Sequence, residues 1–126
     1  MSLTLYSHPF SSYCQKVLVA LYENDTPFTY KTLEDATAKQ ERAALWPFGR
    51  FPVLVDNGRT VAESTIIIEH LTLNHPGPVG LVPEDREDAL EVRFLDRVFD
   101  NYIMTPKQKR VAEFLLPNAA RRLEAM

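Results

Sequence analysis

The sequence predicts an α/β fold: a βαβ unit, a helix, a ββ hairpin and a closing helix, followed by a short all-helical extension. Three observations predict it. Apolar and polar residues alternate at 3–6 and 28–33, and a stripe of helical period lies between them. Asn57-Gly58 separates two short apolar runs, which is the strongest short-range hairpin signal. Beyond residue 85 only helical periodicity remains.

Leu3-Thr-Leu-Tyr6 alternates as a strand does, and His8-Pro-Phe-Ser-Ser12 breaks the pattern. From Tyr13, the residues Cys14, Val17, Leu18 and Leu21 fall at i, i+3, i+4 and i+7 of a helix. Asn24-Asp-Thr-Pro27 ends that helix. Residues 28–33 form the second strand, so the unit is a parallel crossover. Residues 34–45, rich in Ala, Glu, Gln and Lys, suit a helix. Trp46-Pro-Phe-Gly-Arg-Phe-Pro52 is a rigid aromatic loop before the hairpin strands 53–56 and 59–62. Ser64 is placed to cap a further helix that turns Ile67, Ile68 and Leu71 to the core, and Asn74-His-Pro-Gly-Pro78 closes it. This order is thioredoxin-like.

Residues 1–78 therefore make the α/β domain, and residues 85–126 make part of a helical one. The longest helix is expected over 85–104, with Leu95, Val98, Phe99 and Tyr102 as its apolar stripe and Leu90 and Phe94 widening the arc. That breadth predicts burial against more than one neighbour. Thr105-Pro-Lys-Gln108 resembles a capping box with proline at the first helical position. It opens a second helix to residue 116, before Pro117.

Composition narrows the function. Fourteen basic against 17 acidic residues give a net charge of −3, too mild to point to nucleic acid or an anionic membrane. Hydrophobic residues make up 45%, which excludes a disordered chain. No apolar run approaches the roughly 18 residues of a membrane span. The N-terminus lacks the basic and apolar regions of a secretory signal. One cysteine and three scattered histidines offer no metal-ligand spacing. The expectation is a cytoplasmic protein with no metal, nucleic-acid or membrane partner.

Three sites carry chemistry. Ser11 and Ser12 lie between a strand and a helix N-terminus, where free N–H groups and a partial positive charge favour an anion. Glutaredoxins place Cys-Pro-Tyr-Cys there. A serine in the first position forms no mixed disulfide but donates a hydrogen bond to a bound thiolate. Lowering a thiol pKa by about two units takes about 2.7 kcal/mol. A charge-assisted hydrogen bond and a helix terminus together supply that. Taken alone, the serine pair reads first as a helix cap. Arg50-Phe51-Pro52-Val53 precedes the hairpin, and a cis Phe51-Pro52 bond there would turn the Val53 backbone toward an extended peptide. The plain alternative is an ordinary X-Pro turn. Glu63-Ser64 begins the next helix, where a hydroxyl and N–H groups suit a carboxylate and the glutamate suits an ammonium. The plain alternative is again a cap. Cys14 lies on the apolar stripe and reads as a core residue, with thiol transfer as its other reading.

In order and spacing these segments resemble the serine-type glutathione transferases. Leu5-Tyr-Ser-His-Pro-Phe-Ser-Ser-Tyr-Cys-Gln-Lys-Val-Leu-Val-Ala-Leu21 is similar to their first strand and helix. Phe48-Gly-Arg-Phe-Pro-Val-Leu-Val-Asp56 resembles their Gly-Lys-Val-Pro-Val-Leu segment, and Ala62-Glu-Ser-Thr-Ile66 their Glu-Ser-x-Ala-Ile segment. The resemblance covers the first 75 residues or so closely. It implies glutathione as co-substrate, a small electrophile as second substrate, and a homodimer. It implies Ser11, or its neighbour Ser12, as thiolate-stabilising residue, Arg50 near the substrate, and Val53 as backbone binder. Glu63 and Ser64 become γ-glutamyl binders, and Lys39 is a candidate for the glycine carboxylate. The helical region is shorter than the family's usual second domain.

Two other readings stay open. Paired serines followed by Lys16-Val17 resemble the serine-rich motif of maleylacetoacetate isomerases, where a cysteine stands in place of Tyr13. A non-catalytic thioredoxin-like binding module is the third.

Overall fold

Side chains alternate across a strand, and this alternation divides the core into two layers. The computed structural model describes residues 2–115. Strands β1 (Leu3–Ser7), β2 (Thr29–Thr32), β3 (Val53–Asp56) and β4 (Arg59–Ala62) form one sheet in the order β2-β1-β3-β4. β1 pairs parallel with β2 and antiparallel with β3, and β3 pairs antiparallel with β4. Leu3, Leu5, Leu54 and Val61 pack with Val17, Leu18, Ala20 and Leu21 of helix α1 (Ser12–Glu23) and Ile67 and Leu71 of helix α3 (Ser64–Asn74). Tyr6 and Val53, of opposite parity, pack with Leu33 and with Ala38 of helix α2 (Ala36–Leu45) on the other face. A sheet covered by helices on both faces is the layered α/β solution expected from the sequence.

Local chemistry fixes each element. The Asn57-Gly58 turn has φ of 48° and 87°, positive at both central residues as a type I′ hairpin requires. α2 starts two residues later than expected because Asp35 caps it, its Oδ2 accepting from the Ala38 N–H at 3.0 Å. Glu41 on α2 then accepts from Tyr6 Oη at 2.6 Å and Lys31 Nζ at 2.7 Å, which ties α2 to β1 and β2.

The start of α3 differs from expectation. Ser64 does not cap it; Ser64 is its first residue and is buried. Glu63 stands in the cap position at φ 73° with no side-chain cap bond. With ψ at 123° it also lies outside the left-handed helical well, in a sparsely populated region that costs roughly 1–3 kcal/mol.

The helical extension differs more. It runs as α4 (Arg86–Val98), a π-helical turn (Phe99–Met104) and α5 (Thr105–Leu115) without a break. Thr105 has φ −62° and ψ −49°, so it is helical and not the extended cap that a capping box needs. Pro106 explains the turn. It lacks an N–H and its ring crowds the carbonyl four residues earlier, and the chain widens just before it. The expected end at residue 116 and Pro117 lie outside the described residues. The expected apolar stripe is not buried among the described residues either. Leu90, Phe94, Leu95, Phe99 and Tyr102 are exposed, while Ala89 and Asp100 are buried. Polar contacts hold this segment to the sheet domain instead. No described helix is long and apolar enough to cross a membrane.

Candidate functional site

Strand register brings three separate segments to one end of the sheet. Tyr6 lies opposite Val53, and Val53 opposite Ala62. The loop leaving β1, the loop entering β3 and the junction of β4 with α3 therefore emerge side by side. Ring stacking of His8 on Phe51, with centroids 6.0 Å apart, joins the first two. Lys16 Nζ donates to Thr65 Oγ1 at 3.3 Å and joins α1 to the start of α3.

Ser11 is the N-cap of α1. Its Oγ accepts from the Cys14 N–H at 3.2 Å, and the residue is 2% exposed. Its hydroxyl proton remains able to donate. Ser12 is the first residue of α1 and half-buried, so it is the more accessible of the pair. Cys14 is fully buried, and its Sγ receives the His8 N–H at 3.4 Å, which places it in the core rather than at the surface.

The Phe51-Pro52 bond is cis. Val53, however, spends its backbone inside the sheet. A two-residue turn makes Asp56 and Arg59 a hydrogen-bonded closing pair. Alternation along β3 then directs the Val53 N–H and C=O to β1, opposite Tyr6. The free backbone lies one step earlier. Phe51 forms no hydrogen bond through its N–H or C=O among the described residues. Arg50, Glu63 and Lys39 are exposed and make no side-chain hydrogen bond or ion pair among the described residues. Ser64 is buried in the first turn of α3.

An ion-pair network beside this corner was not legible in the sequence. Lys16 Nζ lies 2.6 Å from Asp96 Oδ1 and 3.0 Å from Asp100 Oδ2. Thr65 Oγ1 donates to Asp96 Oδ2 at 2.6 Å, and Arg97 pairs with Asp100. Burial pushes the Asp96 carboxyl up, but hydrogen bonds from Lys16 and Thr65 and the charges of Lys16 and Arg97 hold it below the usual value. Tyr13 Oη meets Thr105 Oγ1 and donates to the Asp100 carbonyl at 3.3 Å. Gln108 Oε1 accepts from the Ser12 N–H at 2.7 Å. The contacts made by Ser12, Tyr13 and Lys16 of α1 with the helical segment span 80 to 96 residues of sequence, and no local pattern announces them.

Elsewhere, two histidines that sequence spacing left unconnected converge on one carboxylate. Nε2 of His70 and of His75 lie 2.8 and 2.7 Å from Asp56 Oδ2. These three side chains form a potential metal-ligand group, with ligand atoms within 4.8 Å of one another. Asn74 Nδ2 donates to His70 Nδ1 at 3.1 Å, so the His70 proton sits on Nε2 and points at Asp56. That proton fills the lone pair a metal would take. The set reads as a hydrogen-bonded clamp between β3 and α3. Hydrogen bonds from His75 and His70 hold the Asp56 carboxyl below its usual value, against burial.

Residues 5–79 match the family described as glutathione S-transferase, N-terminal domain. Glutathione S-transferase hmp2 of Hypomyces subiculosus is 32% identical over 97 residues, 75% of this chain and 45% of its own length. A probable maleylacetoacetate isomerase of Caenorhabditis elegans is 35% identical over 83 residues, 64% of this chain and 38% of its own. Among solved structures, the beta-etherase LigF of Sphingobium sp. strain SYK-6 superposes with a TM-score of 0.80 at 27% identity, over 97% of this chain and 52% of that one. A Burkholderia glutathione transferase homologue, solved with bound glutathione, superposes with a TM-score of 0.69 at 28% identity, over 80% of this chain and 55% of that one. The chain thus spans half or less of the curated relatives it matches. With the four-stranded mixed sheet, the helices on both its faces and the match over residues 5–79, the chain belongs to the glutathione S-transferase family.

Proposed function

We propose that this chain binds glutathione at the corner formed by Ser11 and Ser12, Arg50 to Pro52, and Glu63 and Ser64, and activates its thiol for attack on a small electrophile. The observation that carries the reading is the register Tyr6–Val53–Ala62, since it sets those three loops side by side. Each then suits a different part of one tripeptide. The first turn of α3, with the Ser64 hydroxyl, suits the γ-glutamyl carboxylate. The Glu63 carboxylate suits its ammonium. The unpaired backbone of Phe51 suits the cysteinyl peptide groups, and Val53 and Pro52 form the wall beneath it. The N-terminus of α1 and the serine hydroxyls suit the thiolate. Residues 1–78 are the glutathione-binding unit in this reading, and residues from 85 onward contribute to the electrophile side and to a homodimer. A single buried cysteine suits a reducing cytoplasm.

Isomerisation of a maleylacetoacetate-type substrate is the second reading, favoured by the 35% identity to the nematode protein. Tyr13, where such isomerases carry cysteine, weighs against it. Calorimetric titration of the purified chain with glutathione tests the shared first step. Saturable binding that is weakened by Ser64→Ala is expected. Absence of binding at millimolar glutathione would remove both enzymatic readings and leave the binding module.

A further inference from the structure

Of the N–H groups in the first turn of α1, that of Cys14 is capped by Ser11 Oγ, and that of Ser12 is taken by Gln108 of α5. At 2.7 Å this is a full-strength hydrogen bond. It comes from a side chain 96 residues away that is itself half-buried, on a helix held to α1 by the Tyr13–Thr105 contact. Gln108 is therefore fixed, and it brings a neutral acceptor to a donor in the serine pair.

A thiolate arriving at this corner needs such donors. The hydroxyls of Ser11 and Ser12 offer one proton each, and the Ser12 N–H is the backbone donor between them. An amide oxygen and a sulfur anion cannot both take that single proton at full strength.

We infer that Gln108 is a ligand-displaced residue of the thiol site: its carboxamide oxygen occupies the Ser12 N–H in the free protein and yields it to the sulfur of bound glutathione. The inference rests on the proposed function for the identity of the anion. It adds that the helical segment, not only the sheet domain, sets how strongly a thiolate is held. Displacement costs one neutral hydrogen bond, and the incoming anion makes a charge-assisted one in its place. Gln108 thus lowers affinity without abolishing it.

The sign of the effect distinguishes this role from the usual one. A side chain that contacts a ligand favourably loses affinity when truncated; one that competes with it gains. Gln108→Ala keeps a good helix former and removes the acceptor. Glutathione affinity should rise by about two- to tenfold, the range set by one neutral hydrogen bond. Gln108→Glu places a carboxylate in the same position. It should weaken binding and raise the pKa of the bound thiol by about one unit or more through like-charge repulsion. S-methylglutathione carries no thiolate, so its affinity should respond much less to Gln108→Glu. In the free protein, amide hydrogen exchange at Ser12 should be faster in Gln108→Ala than in wild type.

If wild type shows no saturable glutathione binding, the proposed function fails. If wild type binds and Gln108→Ala binds equally or more weakly, this inference fails alone. If Gln108→Glu affects glutathione and S-methylglutathione alike, the sulfur is not what Gln108 yields to, and the inference fails in that way.

Discussion

Lys16 on α1 and Asp96 on α4 approach to 2.6 Å, and this pair is the centre of the polar junction between the sheet domain and the helical segment. Lys16 also reaches Asp100 at 3.0 Å. Its side chain is 16% exposed and that of Asp96 is 21% exposed. Removing one partner of a fully buried pair costs about 3–5 kcal/mol, because the other charge is left unpaired. The partial exposure here reduces that. Lys16→Met should destabilise the chain by about 2–3 kcal/mol, read as a lower urea midpoint. Combining it with Asp96→Asn should recover part of the loss. A double variant equal to the sum of the singles would show that the pair is not coupled.

Acid should destabilise the protein through the carboxylates of Asp56 and Asp96, among others. Asp56 and Asp96 both have pKa values below the ordinary carboxylate range in the folded chain. A depressed folded value means that the unfolded chain binds protons first. The stabilisation is therefore present above the unfolded value of about 3.9 and is lost as pH falls through the folded one. Urea midpoints should be flat between pH 5 and 7 for these groups, about a unit above their unfolded value at the lower limit, and should fall steeply below about 4. Asp56→Asn should flatten the acid slope. A slope unchanged in that variant would remove the histidine clamp as a contributor.

Backbone strain at Glu63 should be separable from its charge. The residue sits at φ 73° and ψ 123°, a backbone that glycine adopts at no steric cost and that strains a glutamate or an alanine. Glu63→Gly and Glu63→Ala both lose the carboxylate, so both should weaken glutathione binding. They should differ in stability, with Glu63→Gly the more stable by about 1 kcal/mol, since glycine relieves the strain but gives back some of that gain in chain entropy. Thermal unfolding of the pair measures this. Alanine the more stable of the two would contradict a strained backbone there.

Short-range patterns carried most of the α/β domain. The hairpin was legible to the residue because Asn57-Gly58 prescribes both turn type and register. The strands and α1 followed from periods of 2 and 3.6. The start of α2 lies at residue 36 rather than 34 because Asp35 caps it. Ser64 has the residue type of a cap but lies inside α3, because nothing in the sequence signals that Glu63 adopts φ 73°. The sequence points to Val53 as the free backbone, whereas the sheet register engages Val53 and leaves Phe51 available. α4 misled for a different reason. Its apolar stripe suggested a buried face, yet the face that meets the domain uses Asp96 and Asp100, whose partners Lys16 and Thr65 lie far away in sequence. Pairings of that kind have no periodic signature.

On the proposed function, the serine pair at the start of α1 holds glutathione as a thiolate. Following thiolate ultraviolet absorbance of the glutathione complex against pH tests it most directly. The bound thiol pKa should lie well below the free value of about 8.5. Ser11→Ala, or Ser12→Ala if the more exposed hydroxyl is the donor, should move it back toward that value. Cys14→Ser removes the only cysteine thiol and should leave the titration nearly unchanged. A bound thiol titrating at its free value in wild type, or a transition that vanishes in Cys14→Ser and ignores both serine variants, would contradict the account.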